Sequence, residues 1–245
     1  MIPKSGNRFS GKIMRKTKNV LDWLTARPIA HRGLHDAKAG VIENTATAFE
    51  AAIAGNYGIE TDLQISADGE AMVHHDDALG RLTEGGGALA AMSAAAIQTV
   101  RFKATGDRIL TLGELCGLVA GRATLLLELK SRFDGDLRLA RRAAQVLATY
   151  SGPVAVMSFD WAPVDAIRRM APSLTRGIVA ERDLLASMRA RPQFVAYGVR
   201  ELPALAPLAA RLCGLPLLTW TVRSDTERHR AARWADQMIF EGFRP

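Results

Sequence analysis

From Pro28 onward, short apolar runs alternate with Ala-, Leu- and Arg-rich segments of helical spacing. Runs of strand length fall at 28–31, 57–63, 70–74, 123–130, 153–158, 175–179, 193–198, 216–221 and 236–240. Helical spacing predicts helices over 45–54, 111–121, 136–149, 160–170, 182–190, 203–212 and 224–234. Thr111-x-x-Glu114 and Ser224-x-x-Glu227 read as capping boxes, and Gly55 and Gly214 stand where helices should stop. Alternation repeated about eight times calls for parallel strands joined by right-handed crossover helices. An open doubly wound sheet would meet that pattern too. The polar residues decide for a closed (β/α)8 barrel, the TIM architecture, because they end several different strands and no Gly-rich nucleotide motif is present. Segment 77–110, with Gly85-Gly86-Gly87 and a small Ala-rich helix, breaks the rhythm; a loop of that length is expected to cover a site.

The strand ends carry the chemistry. Glu60 and Asp62 lie two apart on one strand and share a face, roughly 6.5 Å apart along it, while Ile59, Thr61 and Leu63 take the other face. On the inner wall of a barrel such a pair calls for a cation between them. Glu128 and Lys130 repeat the spacing, so a third carboxylate completes an oxygen-rich site of the kind Mg²⁺ or Ca²⁺ prefers, with Lys130 beside it as a point charge for phosphate. Of the five histidines, His229 falls in a charged helix and His35 in a loop near the rim at most. His74 and His75 cannot both face the interior, and His75, leading into Asp76, stands at the strand end. His31 opens a turn relaxed by Gly33, with the Arg32 guanidinium placed to clamp an anion. Two imidazoles, three carboxylates and two cations form the inventory of a metal-assisted phosphoester site. No G-x-S-x-G elbow is present, which argues against serine chemistry.

A length of 245 residues suits one eight-unit barrel. Cys116 and Cys213 are far apart and form no metal or disulfide pattern, so a reducing cytoplasm is expected. The net charge of +7 is unevenly spread: residues 1–27 hold seven basic side chains against Asp22, leaving the other 218 residues near +1. Residues 1–27 therefore read as a basic extension to a domain spanning 28–245, not as a nucleic-acid surface. A solvated arm is the first reading; weak contact with an anionic membrane, through a short helix including Val20, Leu21, Trp23 and Leu24, is the second. Oligomeric state is not legible.

The text AHRGLHDAKAGVIENTATAFEAAIAGNYGIETDLQISADGEAMVHHDDALGRLT, followed by LLLELK and later LTWTV, resembles the glycerophosphodiester phosphodiesterase family. The resemblance runs from about Pro28 to the end. It implies a TIM barrel with a small insertion after the second strand, where segment 77–110 lies. It also implies a divalent cation (Mg²⁺ or Ca²⁺) and a small-molecule glycerophosphodiester substrate of glycerol and lipid metabolism. Carried over by motif, the acid–base pair falls on His31 and His75, the metal ligands on Glu60, Asp62 and Glu128, and the phosphate cations on Arg32 and Lys130. Glu43 matches a position that supports Arg32, and Trp220 an aromatic wall of the substrate cleft. One departure stands out: the last strand reads MIFEGFRP, with Glu241 where the family has a smaller Asp or Asn.

Overall fold

Strand β1 (Ile29–Ala30) is two residues long, yet it closes the molecule. Ile29 pairs in parallel with Gly58 of β2 (Gly58–Ile65) on one side and with Ile239 of β11 (Gln237–Phe240) on the other. A computed structural model describes residues 21–245. Between those two neighbours run β6 (Leu125–Leu129), β7 (Val154–Ser158), β8 (Thr175–Ala180), β9 (Phe194–Gly198) and β10 (Leu217–Val222), all parallel, giving a closed eight-stranded barrel. Outside it pack α2 (Ala46–Ala54), α4 (Leu112–Val119), α5 (Arg138–Leu147), α6 (Trp161–Met170), α7 (Leu184–Ser187), α8 (Leu205–Leu212) and α9 (Asp225–Trp234). The Thr111–Glu114 capping box forms completely at the start of α4. At α9 it is half formed: Ser224 accepts from the Glu227 amide, while the Glu227 carboxylate turns to the amide of Arg223.

One predicted strand is not a stave. β3 (Ala71–Val73) runs antiparallel to β2, with Leu63 opposite Val73 and Ile65 opposite Ala71. The linker between them is too short for a parallel crossover, and Asp68-Gly69, with Gly69 at φ +85°, turns the chain back on itself. The chain then builds the insertion from β4 (Ala78–Leu79), its antiparallel partner β5 (Gly87–Ala88) and α3 (Ala94–Gln98). These elements bury a satellite core of Met72, Leu79, Leu89, Ile97, Phe102 and Ile109 against the side of the barrel.

Alternation along the strands sorts the residues into two shells. Ile59 and Leu63 of β2 and Leu125, Leu127 and Leu129 of β6 face outward into the helix layer. Leu126, Ala155, Met157, Val179, Phe194, Ala196 and Leu218 fill the interior. Gly177 makes room for Phe194: a Cβ there would lie 2.3 Å from the ring. Interior packing reaches only part-way up, and above it the inward positions of β2 and β6 become Glu60, Asp62 and Glu128.

Most of the basic extension, residues 1–20, lies outside the described residues. The part that is described does not behave as an arm. Helix α1 (Asp22–Thr25) packs beneath the barrel, where Leu21 and Leu24 join the interior cluster and Gln237 donates to the Thr25 carbonyl at 2.9 Å. Leu24 is 1% exposed, so its side chain belongs to the barrel floor and is not available to a membrane surface. Leu24→Ala should therefore lower unfolding free energy by about 2–5 kcal/mol, as in other buried Leu→Ala changes. Urea unfolding of the full chain measures it, and a change within roughly 0.5 kcal/mol, the range of surface positions, would place Leu24 outside the core.

Candidate active site

The turn after β1 is wrapped around one carboxylate. Arg32 has φ +56° and points its backbone N–H at Glu60 Oε2, 3.1 Å away; Gly33, at φ +79°, donates to the Glu60 carbonyl at 3.2 Å. A Cβ on Gly33 would sit 2.9 Å from the backbone and side chain of Ala48, so the close approach of this turn to α2 requires glycine. His31 is thereby held against the barrel mouth, with Nε2 3.9 Å from Glu60 Oε2.

Asp62 and Glu128 are direct neighbours in the β2–β6 register. Glu60, Asp62 and Glu128 each offer an oxygen within 4.8 Å of the others, and all three are buried. Lys130 bridges two of them, at 2.8 Å from Asp62 Oδ1 and 2.5 Å from Glu128 Oε1. Asn44, at φ +58° and buried, donates from Nδ2 to Asp62 Oδ2 at 2.9 Å and accepts the Thr61 hydroxyl at 2.7 Å, which fixes the Asp62 carboxylate from behind. Burial pushes the Glu60 carboxyl well above the usual range, and repulsion from Asp62 and Glu128 pushes it further. Burial acts on Asp62 as well, but Lys130 and Arg32 outweigh it and hold Asp62 well below the usual range. Glu128 is raised by burial and by Asp62. Three clustered carboxylates of which two resist ionisation are undercompensated in charge. Their hard oxygen donors fit a divalent cation of the Mg²⁺ or Ca²⁺ type.

Arg32 stands beside this group. Its Nη1 donates to Glu43 Oε1 at 2.7 Å. Its Nε, 3.4 Å from Asp62 Oδ2, is buried with no aligned acceptor among the described residues. A charged donor left in that state suits an incoming anionic oxygen.

Each of the two histidines meets a carboxylate through Nδ1. His31 Nδ1 lies 2.7 Å from Glu241 Oε2, and His75 Nδ1 lies 2.7 Å from Asp76 Oδ1. Hydrogen bonding from His31, and then Arg223 at 3.0 Å, bring the Glu241 carboxyl down to about 2 against the opposing effect of burial. Burial also acts to raise Asp76, but hydrogen bonds from Arg81 and His75 bring it to about 2. Ionised carboxylates can only accept, so both imidazoles donate from Nδ1, which leaves Nε2 as the nitrogen that can exchange a proton. Burial lowers the His31 pKa and keeps that ring neutral near pH 7. His74 is buried, and its Nε2 has no partner among the described residues. His75 opens onto a cavity of about 520 Å³ shared with Gln64, Asp76, Lys130 and Arg132.

Trp220 is half-buried, its Nε1 donating to the Ala196 carbonyl at 3.1 Å and its ring edge-on to Phe159 at 5.3 Å. It lines a small pocket with Glu181, Arg200 and Arg223 and is not among the residues lining the cavity that His75 opens onto. His35, placed near the rim from sequence, is half-buried with Nε2 unpartnered among the described residues. Asn44, Arg81 and Arg223 escaped the sequence reading. Asn44 stands inside the ENT text and Arg81 five residues after Asp76, but neither carries a local signal of its partner. Glu241, noted as a departure from the family, proves to be the carboxylate that holds His31.

The family model for glycerophosphoryl diester phosphodiesterases matches residues 31–243. The chain belongs to that family. Its members are phosphoric diester hydrolases, and the chain is similar to a glycerophosphodiester phosphodiesterase of Caldanaerobacter subterraneus, 30% identical over 217 residues and covering 82% of this chain and 88% of the relative. A glycerophosphodiester phosphodiesterase of Bacillus subtilis is 26% identical, with 88% and 83% covered. The barrel is similar to a phosphodiesterase of Oleispira antarctica solved with its product sn-glycerol-3-phosphate, at a TM-score of 0.79 and 19% identity, covering 89% of this chain and 94% of that one. The Thermotoga maritima glycerophosphodiester phosphodiesterase gives 0.70 at 21%, covering 86% and 92%. Among the described residues no helix is long and apolar enough to cross a membrane.

The Glu241–His31 contact has a pH signature. Glu241 has a lower pKa in the folded chain than its ordinary 4.5, so the contact stabilises the fold above that value and is lost as pH falls toward about 2. The melting-temperature gap between the wild type and Glu241→Gln should not shrink from neutrality to about pH 4.5, since Glu241 also favours protonated His31, and should close between there and about 2. A gap that stays open at the acid end would mean that Glu241 ionisation does not stabilise the fold.

Proposed function

We propose that the chain hydrolyses glycerophosphodiesters to sn-glycerol 3-phosphate and an alcohol, in a reducing cytoplasm, with His31 and His75 as the proton carriers. The observation that carries the reading is the conjunction, at one barrel mouth, of the buried carboxylate triad, the unaligned Arg32 Nε and two imidazoles anchored to carboxylates through Nδ1. Family membership and the product bound in the Oleispira relative support it.

Glu60, Asp62 and Glu128 would hold a divalent cation, which when bound supplies positive charge against the non-bridging phosphate oxygens. Arg32 contributes a fixed fork of donors to the same oxygens, and Lys130 a point charge. One imidazole takes the proton from the oxygen that attacks phosphorus. The other enters the step protonated on both ring nitrogens and delivers its Nε2 proton to the alcohol oxygen as the bond from that oxygen to phosphorus breaks. Glu241 and Asp76 hold Nδ1 of the two rings, so that Nε2 is the nitrogen left for this exchange.

Cleavage of lysophospholipids at the same site, as by a lysophospholipase D, is the competing reading, and an apolar groove beside segment 77–110 would favour it. The cavity on that side is instead lined by Gln64, Asp76, Asp77, Arg132, Asp134 and Asp136, which suits a polar alcohol. Apolar surface lies across Lys130 at Phe133 and Phe159, around a cavity of about 260 Å³, small for an acyl chain.

His31→Ala and His75→Ala should each lower kcat on glycerophosphocholine and glycerophosphoethanolamine by about 10²–10⁴-fold, with circular dichroism unchanged. An enzyme-coupled assay for sn-glycerol 3-phosphate follows it, and either variant turning over at the wild-type rate would remove that histidine from the chemistry. Chelation should abolish turnover, and Mg²⁺ or Ca²⁺ should restore it. Full activity in excess chelator would refute the cation reading.

A further inference from the structure

Arg81 lies in the insertion, outside the strand ends that carry the rest of the site. Its guanidinium spans two carboxylates that serve different functional groups. Nε donates to Asp76 Oδ2 at 2.6 Å and Nη2 approaches Asp76 Oδ1 at 3.2 Å. Nη2 also donates to Glu43 Oε1 at 2.6 Å, with Nη1 3.3 Å from Glu43 Oε2. Asp76 holds Nδ1 of His75, and Glu43 holds Nη1 of Arg32. The result is an unbroken series, His75–Asp76–Arg81–Glu43–Arg32, in which carboxylates alternate with nitrogen donors and no contact in the chain of closest approaches exceeds 2.7 Å.

We infer that Arg81 is a positioning residue that fixes the His75 ring relative to the Arg32 fork, an inference that rests on the reaction proposed above. Stability alone does not account for it, since its side chain is 45% exposed and an ion pair so placed contributes little to folding. Geometry does. Three nitrogens in a rigid plane reach both carboxylates at once, which a single lysine ammonium cannot do. The backbone behind it is tied down as well: the Gly80 amide donates to Thr83 Oγ1 at 3.0 Å, and the Lys103 ammonium donates to the Gly80 carbonyl. Segment 77–110, expected from sequence to cover a site, thus acts as a strut that carries Arg81 to the rim.

Removal of Arg81 leaves Asp76 with His75 as its one side-chain hydrogen-bond partner among the described residues, so the ring and the carboxylate turn together. It also leaves Glu43 free to draw Arg32 away from Asp62. Loss of ring alignment reads out in kcat and loss of fork alignment in KM.

The test compares wild type, Arg81→Lys and Arg81→Ala as full chains with Mg²⁺ or Ca²⁺ on glycerophosphocholine, with circular dichroism, melting temperature and calorimetric Mn²⁺ binding alongside. Both variants should fold and bind Mn²⁺ as wild type does, while kcat falls roughly 10–100-fold and KM rises, the scale seen when a group orienting an active residue is removed. Lysine should not rescue. Guanidinium ion at low millimolar concentration should restore part of the kcat of Arg81→Ala, and methylammonium should not. In an Asp76→Asn background, Arg81→Ala should cost less than about threefold in kcat, because the route to His75 is already cut. Arg81→Lys with wild-type kcat and KM, or an equal cost of Arg81→Ala in both backgrounds, overturns the positioning role. Wild type failing to hydrolyse the diester sinks the reaction itself and the inference with it.

Discussion

Three carboxylates share the inner wall of a barrel whose lower half is hydrocarbon, and the rest of the mouth is organised by the need to compensate them. Glu60, Asp62 and Glu128 are all buried, which makes every uncompensated charge among them costly. Lys130 lies between Asp62 and Glu128, and the Arg32 backbone amide caps Glu60. Asn44 braces Asp62 from behind. These contacts satisfy Asp62 but not Glu60, whose carboxyl is pushed well above its ordinary range by burial and by Asp62 and Glu128. The mouth is thus built with more carboxylate than its own cations can neutralise. Such a deficit is tolerable in a fold that also accepts a divalent ion.

The same alternation of side chains that builds the barrel decides where this deficit sits. On β6, Leu126 points to the interior floor and Glu128, two residues on, to the mouth; on β2, Gly58 is followed at the same spacing by Glu60 and Asp62. Parallel strands bring their C-terminal ends to one side, so polar residues at strand ends must meet there. Leu21 and Leu24 close the opposite end with apolar surface. Packing thus seals the floor of the barrel opposite the mouth.

Much of this was legible in the sequence, and the part that was not has a common cause. All eight staves were placed because each is a short apolar run with a polar terminus, and strand periodicity put Glu60, Asp62 and Glu128 on the inner face before any coordinates. The run at 70–74 was read as one more strand of the series, although Asp68-Gly69 carried a hairpin signal that identified it as a return. Leu21 and Leu24 were grouped with the basic arm because composition averages over neighbours, while burial is decided residue by residue. Arg81 and Asn44 were missed for a different reason: their partners are 38 and 18 positions away, and no local pattern encodes a contact between a loop and a strand end.

Side chains contributed by loops also give the two halves of the mouth the same construction. His31 leans on Glu241, which is held by Arg223; His75 leans on Asp76, which is held by Arg81. In each case an arginine keeps the carboxylate ionised and in place, and the carboxylate fixes the ring tautomer. From the end of the last strand, Glu241 reaches His31 and Arg223 at the same time. The two halves differ in their support: Glu241 and Arg223 follow barrel strands, whereas Arg81 comes from the insertion. The His75 half is also linked through Glu43 to Arg32, and the His31 half lies against the carboxylate triad through Glu60. One ring is thus registered to the group proposed to grip the phosphate and the other to the group suited to a cation, so both reacting ends of a bound diester would be referred to a single rigid frame.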